Sequence, residues 1–260
     1  MRNRLDKLLF ERGLAPSRER AQALILAGRV LVNQQKIAKP GAPVEDDAVL
    51  RVLGDPQRYV SRGGLKLEAA LLRWAIDLSG RSCADIGTST GGFTDCMLQH
   101  GAASVVAVDT GYGQIAEALR RDPRVTLLER TNARYLKPGD LPGGIDFVSM
   151  DVSFISATLV LPAVIAAVRE NPGKESPPET AVDAVVEAVI LVKPQFEAGR
   201  EHVGKGGIVH DPAAQQFAID RVRTALEDLG ASAIELADSP ILGGGEGAKG
   251  NREFLLYARF

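Results

Sequence analysis

The sequence predicts an α/β protein with a Rossmann-like, doubly wound sheet, preceded by a small α+β domain. Apolar segments alternate with helical patterns from about residue 82 to the end of the chain. A glycine-rich turn at residues 85–95 follows the first of these segments. Residues 1–40 contain nine Lys or Arg against three Asp or Glu, which is +6; since the whole chain carries −2, the remainder carries −8. The 260 residues suit one full domain and one small one.

The first 56 residues predict a compact domain of two short helices and a small sheet. Leucines recur at helical spacing from residue 5 to residue 9, and Ser17 is a suitable N-cap for a second helix that ends before Gly28. Short β-prone segments follow at 30–32, 36–38 and 48–53.

The positive charge of this domain points to a polyanion as its partner. The candidate contact residues are Arg4, Arg18, Arg20 and Arg29. The stretch RLDKLLFERGLAPSRERAQALILAGRVLVNQQ, at positions 4–35, resembles the small RNA-binding domain named after a ribosomal small-subunit protein. That resemblance implies RNA binding, whereas charge alone leaves open a solvated basic face with no partner.

Gly54, Asp55 and Pro56 mark the end of this domain. We therefore predict domains at 1–56 and 61–260, joined by a linker at 57–60. The second domain opens with a helix that carries Lys66 near its start, where the helix dipole disfavours a cation. Lys66 is for this reason a candidate functional residue, although a solvated lysine is the simpler interpretation.

The glycine-rich turn predicts a ligand site at a helix N-terminus, where backbone N–H groups can approach the ligand. Its spacing is D-x-G-x-x-x-G-G rather than G-x-G-x-x-G. An acid at the start would repel a pyrophosphate but suits a ligand with an amine and a sulfonium, which favours S-adenosylmethionine over NAD. A turn without a ligand is the alternative. The candidate donor-binding residues are Asp85, Gly87, Ser89, Gly91, Gly92 and Phe93, with Asp109 and Asn132 after the next two strands.

The alternation of strands and helices continues to the end of the chain. Strands are predicted at 104–108, 125–128, 145–150, 185–192, 233–236 and 254–260, helices at 159–169 and 212–230, a surface loop at 171–180 and a glycine-rich loop at 243–250. Ligands of open α/β sheets bind beyond the carboxyl ends of the strands. Asp85, Asp109, Asp151 and Lys193 each end a predicted strand. Asp151 and Lys193 would lie on adjacent strands, where a structural ion pair is the simpler interpretation.

Four segments resemble the haemolysin-A-type (TlyA) family of ribosomal RNA 2′-O-methyltransferases, which are related to the FtsJ heat-shock methyltransferase. These segments are residues 85–95, SMDVSFIS at 149–156, LVKPQFE at 191–197 and GNREFL at 250–255. The resemblance covers nearly the whole chain. It implies a class I S-adenosylmethionine-dependent methyltransferase sheet with an antiparallel last strand, and methyl transfer to a ribose 2′-OH of ribosomal RNA, on a cytidine.

The family's K-D-K-E active-site set falls here on Lys66, Asp151, Lys193 and Glu253. Two stretches, 171–184 and 243–247, look longer than the family's usual loops. Lys193 is the candidate to accept or relay the 2′-OH proton. It could instead stay charged and stabilise the developing alkoxide, and the sequence leaves both roles open. No metal is expected, since the three histidines show no ligand spacing.

Two other functions remain open at this stage. The first is a membrane-active haemolysin, as the family name suggests, which would need a long apolar or strongly amphipathic segment that the sequence lacks. The second is a non-catalytic assembly factor that binds ribosomal RNA. Methylation of a base is less favoured, because the fourth strand ends in D-V-S-F and not in the N/D-P-P-Y/F of amino-group methyltransferases.

Charge and cysteine usage predict the setting in which the protein works. The first ten residues are charged, no apolar run approaches the roughly 20 residues of a membrane span, and Cys83 and Cys96 have no metal-ligand spacing. We therefore expect a cytoplasmic protein whose partner is ribosomal RNA or a ribosomal subunit, with no membrane contact. The sequence makes no prediction of oligomeric state.

Overall fold

The computed structural model describes residues 2–15, 17–53, 58–169, 185–244 and 250–260. The chain divides into two compact units, Met1–Arg58 and Tyr59–Phe260. The predicted boundary at 54–56, the predicted loop at 171–180 and residues 245–247 of the glycine run lie outside the described residues.

The first unit packs two short helices against two small antiparallel sheets, β1–β4 and β3–β2–β5. Leu5, Leu9 and Ile25 are fully buried between the helices and the sheets. The side chain of Ser17 caps the second helix by accepting the Arg20 N–H at 3.2 Å, as its position predicts. The elements are β1 (Arg2–Arg4), α1 (Leu5–Glu11), α2 (Arg18–Leu26), β2 (Val30–Val32), β3 (Gln35–Lys36), β4 (Pro43–Glu45) and β5 (Leu50–Val52).

The second unit is a seven-stranded sheet covered by helices on both faces. Its first half contains α3 (Gly63–Arg73), β6 (Ser82–Ile86), α4 (Gly92–Gln99), β7 (Ser104–Val108), α5 (Glu117–Arg120) and β8 (Val125–Leu128). Its second half contains β9 (Phe147–Met150), α6 (Leu161–Arg169), β10 (Glu187–Val192), α7 (Pro194–Glu197), α8 (Pro212–Asp228), β11 (Ala233–Asp238) and β12 (Phe254–Arg259). The repeated strand–helix pattern of the sequence accounts for this layering.

The strand order is β11-β12-β10-β9-β6-β7-β8. Strands β6 to β10 pair in parallel, and β12 runs antiparallel to both β10 and β11. The predicted Rossmann-like sheet with an antiparallel last strand is therefore confirmed. The order reverses between β6 and β9, so the crevice that binds ligands in such sheets lies beyond the carboxyl ends of these two strands.

Two residues of the predicted linker belong to the second unit. Tyr59 is 3% exposed, and its ring leaves no space for a side chain at Gly64. The backbone N–H of Val60 donates to Asp95 Oδ2 at 2.7 Å. The sequence of residues 57–60 does not show whether the ring of Tyr59 is buried, because that depends on the residues that surround it after folding.

Gly87, directly after β6, lies close to the backbone that follows β9. Its φ of +89° is in the left-handed region, and a Cβ there would lie 2.6 Å from the carbonyl oxygen of Asp151. Only glycine meets both demands without strain, because it has no Cβ. The distance between the glycine turn and the Asp151 backbone thus depends on this residue.

We expect Gly87→Ala to destabilise the protein by about 2–5 kcal/mol, because it adds overpacking to the cost of a left-handed alanine. Gly80→Ala is the matched control: Gly80 has a φ of +74°, but an added Cβ would meet nothing within 4 Å. Thermal unfolding of both variants measures the difference. Equal melting temperatures would show that the approach to Asp151 imposes no constraint.

Candidate active site

The residues of the K-D-K-E set meet at the carboxyl edge of the sheet although they are far apart in sequence. Lys193 Nζ lies 2.5 Å from Asp151 Oδ1, and Lys66 Nζ lies 2.6 Å from Glu253 Oε2. A third contact joins the two pairs, since Lys66 Nζ is 4.0 Å from Asp151 Oδ2. Two cations and two anions therefore form one continuous cluster.

Four different elements supply these side chains. Asp151 follows β9 and Lys193 follows β10, and the parallel pairing of these two strands brings their ends together. Lys66 comes from the first turns of α3, and Glu253 directly precedes β12. Both lysines are 8% exposed and Glu253 is 4% exposed. Charges this deeply buried require partners of opposite sign, and the cluster supplies them.

Ser153 belongs to the site and has no assigned role in the sequence analysis. The Lys193 ammonium donates to Ser153 Oγ at 2.7 Å. The contact between Lys193 and Asp151 Oδ1 is an ion pair without the alignment of a hydrogen bond, and no other described residue donates to that oxygen. The aligned bond of Lys193 therefore goes to Ser153. The feature of the sequence that could have predicted this role is the position of Ser153, two residues after Asp151 in the D-V-S-F segment.

A cavity of about 290 Å³ opens beside the cluster. Its wall includes Lys66, Asp151 and Lys193 together with four of the predicted donor-binding residues, which are Gly87, Ser89, Gly92 and Phe93. Ser61 and Arg62, in the segment before Lys66, complete one side. The volume is close to the lower end of the range for small-molecule sites, roughly 300–1,000 Å³. The cavity thus places a ligand-sized space between the glycine turn and the buried charges.

Asp85 differs from its predicted placement. It is fully buried, and its Oδ2 accepts hydrogen bonds from the Thr94 N–H at 3.0 Å and the Thr94 hydroxyl at 2.6 Å. Its Oδ1 accepts from the Ser149 hydroxyl at 3.1 Å. Burial raises the pKa of Asp85 to about 6, and the nearby charge of Asp151 acts in the same direction. Asp85 therefore holds the glycine turn in place through its hydrogen bonds to Thr94 and Ser149, and it does not line the cavity.

The remaining predicted donor residues, Gly91, Asp109 and Asn132, are not among the residues that line the cavity. Asp109 Oδ2 accepts the Ser89 N–H at 2.7 Å and its Oδ1 accepts the Gly111 N–H at 2.6 Å, so it joins the glycine turn to the end of β7. Gly91 directly precedes α4 as its N-cap residue, with a φ of +96°. Asn132 caps a 3₁₀ turn by accepting the Arg134 N–H at 3.1 Å. Asp109 is partly exposed, so it can also reach a ligand.

Two of the predicted RNA-binding arginines have a structural role in the first unit. Asp6 is fully buried and accepts from Arg4 Nε at 3.0 Å, Arg18 Nη2 at 3.4 Å and Gln22 Nε2 at 2.8 Å. The Arg4 hydrogen bond is the main cause that holds the pKa of Asp6 well below its usual value. The Arg4 and Arg18 side chains are still 55% and 47% exposed, which leaves other N–H groups accessible.

The described part of the chain holds neither a metal-ion cluster nor a membrane-spanning helix. No group of three or more His, Cys, Asp or Glu side chains there is arranged to hold a metal ion. In the same residues, the helices are all too short or too polar to span a bilayer. Cys83 and Cys96 are free and buried, and burial raises the pKa of each thiol to about 12.

The sheet order, the glycine turn at its central strands and the adjoining cavity define a Rossmann-like, S-adenosylmethionine-dependent methyltransferase. The FtsJ-like methyltransferase family matches residues 59–260, and the S4 domain family matches residues 3–50. The chain belongs to the FtsJ-like methyltransferase family, and it combines that domain with an S4 domain.

Individual relatives span almost the entire chain. The 16S/23S rRNA (cytidine-2′-O)-methyltransferase TlyA of Mycobacterium tuberculosis is 44% identical, covering 99% of this chain and 90% of that protein. Hemolysin A of Brachyspira hyodysenteriae is 37% identical and covers 98% of each chain. A solved structure of a Streptococcus thermophilus protein described as a hemolysin superposes with a TM-score of 0.71 at 42% identity, over 99% of this chain and 88% of that one. The predicted family is therefore confirmed.

The raised pKa of Asp85 predicts a pH-dependent stability. Since the folded-state pKa is above the ordinary value of 3.8, proton binding stabilises the fold fully below about pH 4, and this contribution is lost as the pH rises through about 6. Asp85→Asn removes that titration. We expect the unfolding free energy of the wild type, relative to the variant, to fall by about 1 kcal/mol between pH 5 and 7.5. Urea denaturation at both pH values measures it, and a constant difference would contradict the assignment.

Proposed function

We propose that the protein transfers a methyl group from S-adenosylmethionine to a ribose 2′-OH of ribosomal RNA, on a cytidine. The observation that carries the proposal is the pair of buried lysine–carboxylate contacts, Lys193–Asp151 and Lys66–Glu253, beside a cavity lined by the glycine turn. The name of the Mycobacterium tuberculosis relative supports the cytidine. An enzyme with this substrate acts where ribosomes are assembled, in the cytoplasm.

The residues around the cavity suit the methyl donor. S-adenosylmethionine, when bound, supplies an electrophilic methyl group on a sulfonium. The backbone at Gly87 and Gly92 forms part of the cavity wall without side chains in the way, and Phe93 contributes an apolar surface. Asp109, partly exposed at the end of β7, is the acid that we assign to the donor's ribose.

Lys193 is the residue that we assign to the reacting 2′-oxygen. Its Nζ donates to Ser153 Oγ at 2.7 Å and lies 2.5 Å from Asp151 Oδ1, so both contacts hold the amino group at the cavity. An ammonium can donate to the 2′-oxygen as this atom loses its proton, and so stabilise the developing negative charge. Asp151, 2.5 Å from Lys193, is the nearest carboxylate that can take up the proton. We therefore assign to Lys193 the role of a charged stabiliser rather than that of the base.

Lys66 and Glu253 support this arrangement. Lys66 Nζ is 2.6 Å from Glu253 and 4.0 Å from Asp151, so it offsets the charge of both carboxylates. Without it, the carboxylates of Asp151 and Glu253 would repel each other at the same end of the sheet. We assign to Lys66 and Glu253 the task of fixing the position and the charge of Asp151.

The first unit is assigned to the capture of ribosomal RNA. Its S4 match at residues 3–50 and its positive charge of +6 over residues 1–40 support phosphate contacts as the main source of affinity. Arg4, Arg18, Arg20 and Arg29 are the contact residues that we assign to the RNA, and the first two also hold the buried Asp6.

Lys193→Ala should lower the single-turnover rate of methyl transfer to ribosomal subunits by about 10²–10³, because the charge at the 2′-oxygen is lost. Lys193→Arg should recover part of that rate, since a guanidinium stabilises negative charge but cannot act as a base. The rate is measured per folded molecule with labelled donor at saturation, and calorimetry with S-adenosylmethionine checks that donor affinity is preserved. A Lys193→Ala rate within a few-fold of wild type would remove Lys193 from the chemistry.

Arg20→Ala should reduce the salt dependence of RNA binding, with the slope of log affinity against log salt falling by about 0.7–0.9 for one lost phosphate contact. Arg121→Ala is the matched control, because Arg121 is exposed in the second unit and paired with Glu117 at 2.8 Å. Filter binding of a ribosomal RNA fragment at several salt concentrations measures both slopes. Equal slopes for the two variants would exclude Arg20 from the RNA contact.

A further inference from the structure

A buried glutamate that the proposed mechanism does not use joins the two elements that carry Lys193 and its partners. Glu197 is 2% exposed. Its Oε1 accepts the backbone N–H of Ala157 at 2.6 Å, and its Oε2 accepts the hydroxyl of Ser156. Both donors lie in the segment of residues 152–157 that follows Asp151, which we name the β9 loop.

These hydrogen bonds close a ring of contacts around the site. Helix α7 begins at Pro194, directly after Lys193, and ends at Glu197. The β9 loop carries Ser153, which accepts from Lys193, and follows Asp151. Glu197 therefore ties the far end of the β9 loop to the helix that extends from Lys193. The distance between Lys193 and its acceptors is constrained from both sides.

The β9 loop needs such a constraint. Phe154 has a φ of +65°, the residue is 93% exposed, and its ring makes a tilted contact with Phe196 at 5.5 Å between centroids. A non-glycine residue in this region costs about 1–3 kcal/mol and persists only where its surroundings hold it. Burial raises the pKa of Glu197, so holding this carboxylate inside the protein also costs free energy.

We propose that Glu197 is a positioning residue for methyl transfer, which fixes the β9 loop so that Ser153 and Asp151 hold Lys193 toward the acceptor oxygen. The inference rests on the proposed function for its kinetic consequences. Its structural consequence, an ordered β9 loop that depends on the Glu197 carboxylate, can be measured without any activity.

Strands β9 and β10 are also joined at their amino ends by a separate cluster of ion pairs. This cluster supplies a matched control. Arg81 Nε lies 2.9 Å from Asp146 Oδ1, just before β9, and Arg81 also pairs with Glu187 at the start of β10. This cluster is at the amino ends of the strands, away from the cavity. Asp146→Ala should therefore destabilise the sheet without changing the rate per folded molecule.

The kinetic test compares Glu197→Ala, Glu197→Asp and Glu197→Gln with Asp146→Ala. With donor saturating, we expect Ala and Asp to lower the single-turnover rate by about 10–100-fold, since small misplacements of reacting groups have effects of this size. Donor affinity, measured by calorimetry, should stay within about two-fold, because Glu197 does not line the cavity. Glu197→Gln should stay within a few-fold of wild type, because its amide can accept from Ala157 and donate to Ser156.

A second measurement separates this proposal from the proposed function. Hydrogen exchange should show faster exchange across the β9 loop in Glu197→Ala and unchanged exchange there in Asp146→Ala, whether or not the protein methylates RNA. A Glu197→Ala rate equal to that of Asp146→Ala, or equal exchange of the β9 loop in the two variants, would overturn the proposal. A Glu197→Gln variant as slow as Glu197→Ala would also overturn the proposal. The rate would then not depend on the hydrogen bonds to Ala157 and Ser156, which the amide can still make.

Discussion

The site depends on one constraint, which is that two lysines are buried against two carboxylates where β9 and β10 end. Each of these charges would be costly to bury alone, by several kcal/mol after relaxation. Parallel pairing of β9 with β10 puts Asp151 beside Lys193, and the antiparallel β12 brings Glu253 from the other side to Lys66. Apolar residues of similar volume would often be as stable in such a place. The cluster is therefore better explained by chemistry than by stability.

The glycine turn, which we assign to the methyl donor, lies at the same end of the sheet as the lysine–carboxylate cluster. Gly87 lets the end of β6 approach the Asp151 backbone, and Asp85 holds the start of α4 from beneath the turn. Asp109 in turn holds Ser89 at the far side of the turn. A change in any of these residues alters the distance between the donor cavity and the buried charges. The glycine turn and the lysine cluster thus form one structural unit at the switch point of the sheet.

Much of the fold followed from the sequence, because alternating apolar strands and helical patterns are local signals. The strand ends at Asp109, Asp151 and Lys193 were predictable for the same reason. The prediction that Lys66 and Glu253 belong to one site came from the family resemblance, since no sequence spacing relates residues that are 187 positions apart. The inward orientation of Asp85 and the roles of Ser153, Glu197 and Asp6 were not predictable. Each depends on which neighbour a polar side chain meets after folding, and that information is not local.

The position of the methyl group on the product tests the central claim most directly. Ribosomal subunits that lack the modification are incubated with the protein and methyl-labelled S-adenosylmethionine, and the RNA is digested and separated by chromatography. If the lysine–carboxylate cluster acts on a ribose hydroxyl, the label will be found in 2′-O-methylcytidine, and alkaline hydrolysis will leave the adjoining phosphodiester intact. Label on a base, with every linkage open to alkali, would contradict the account.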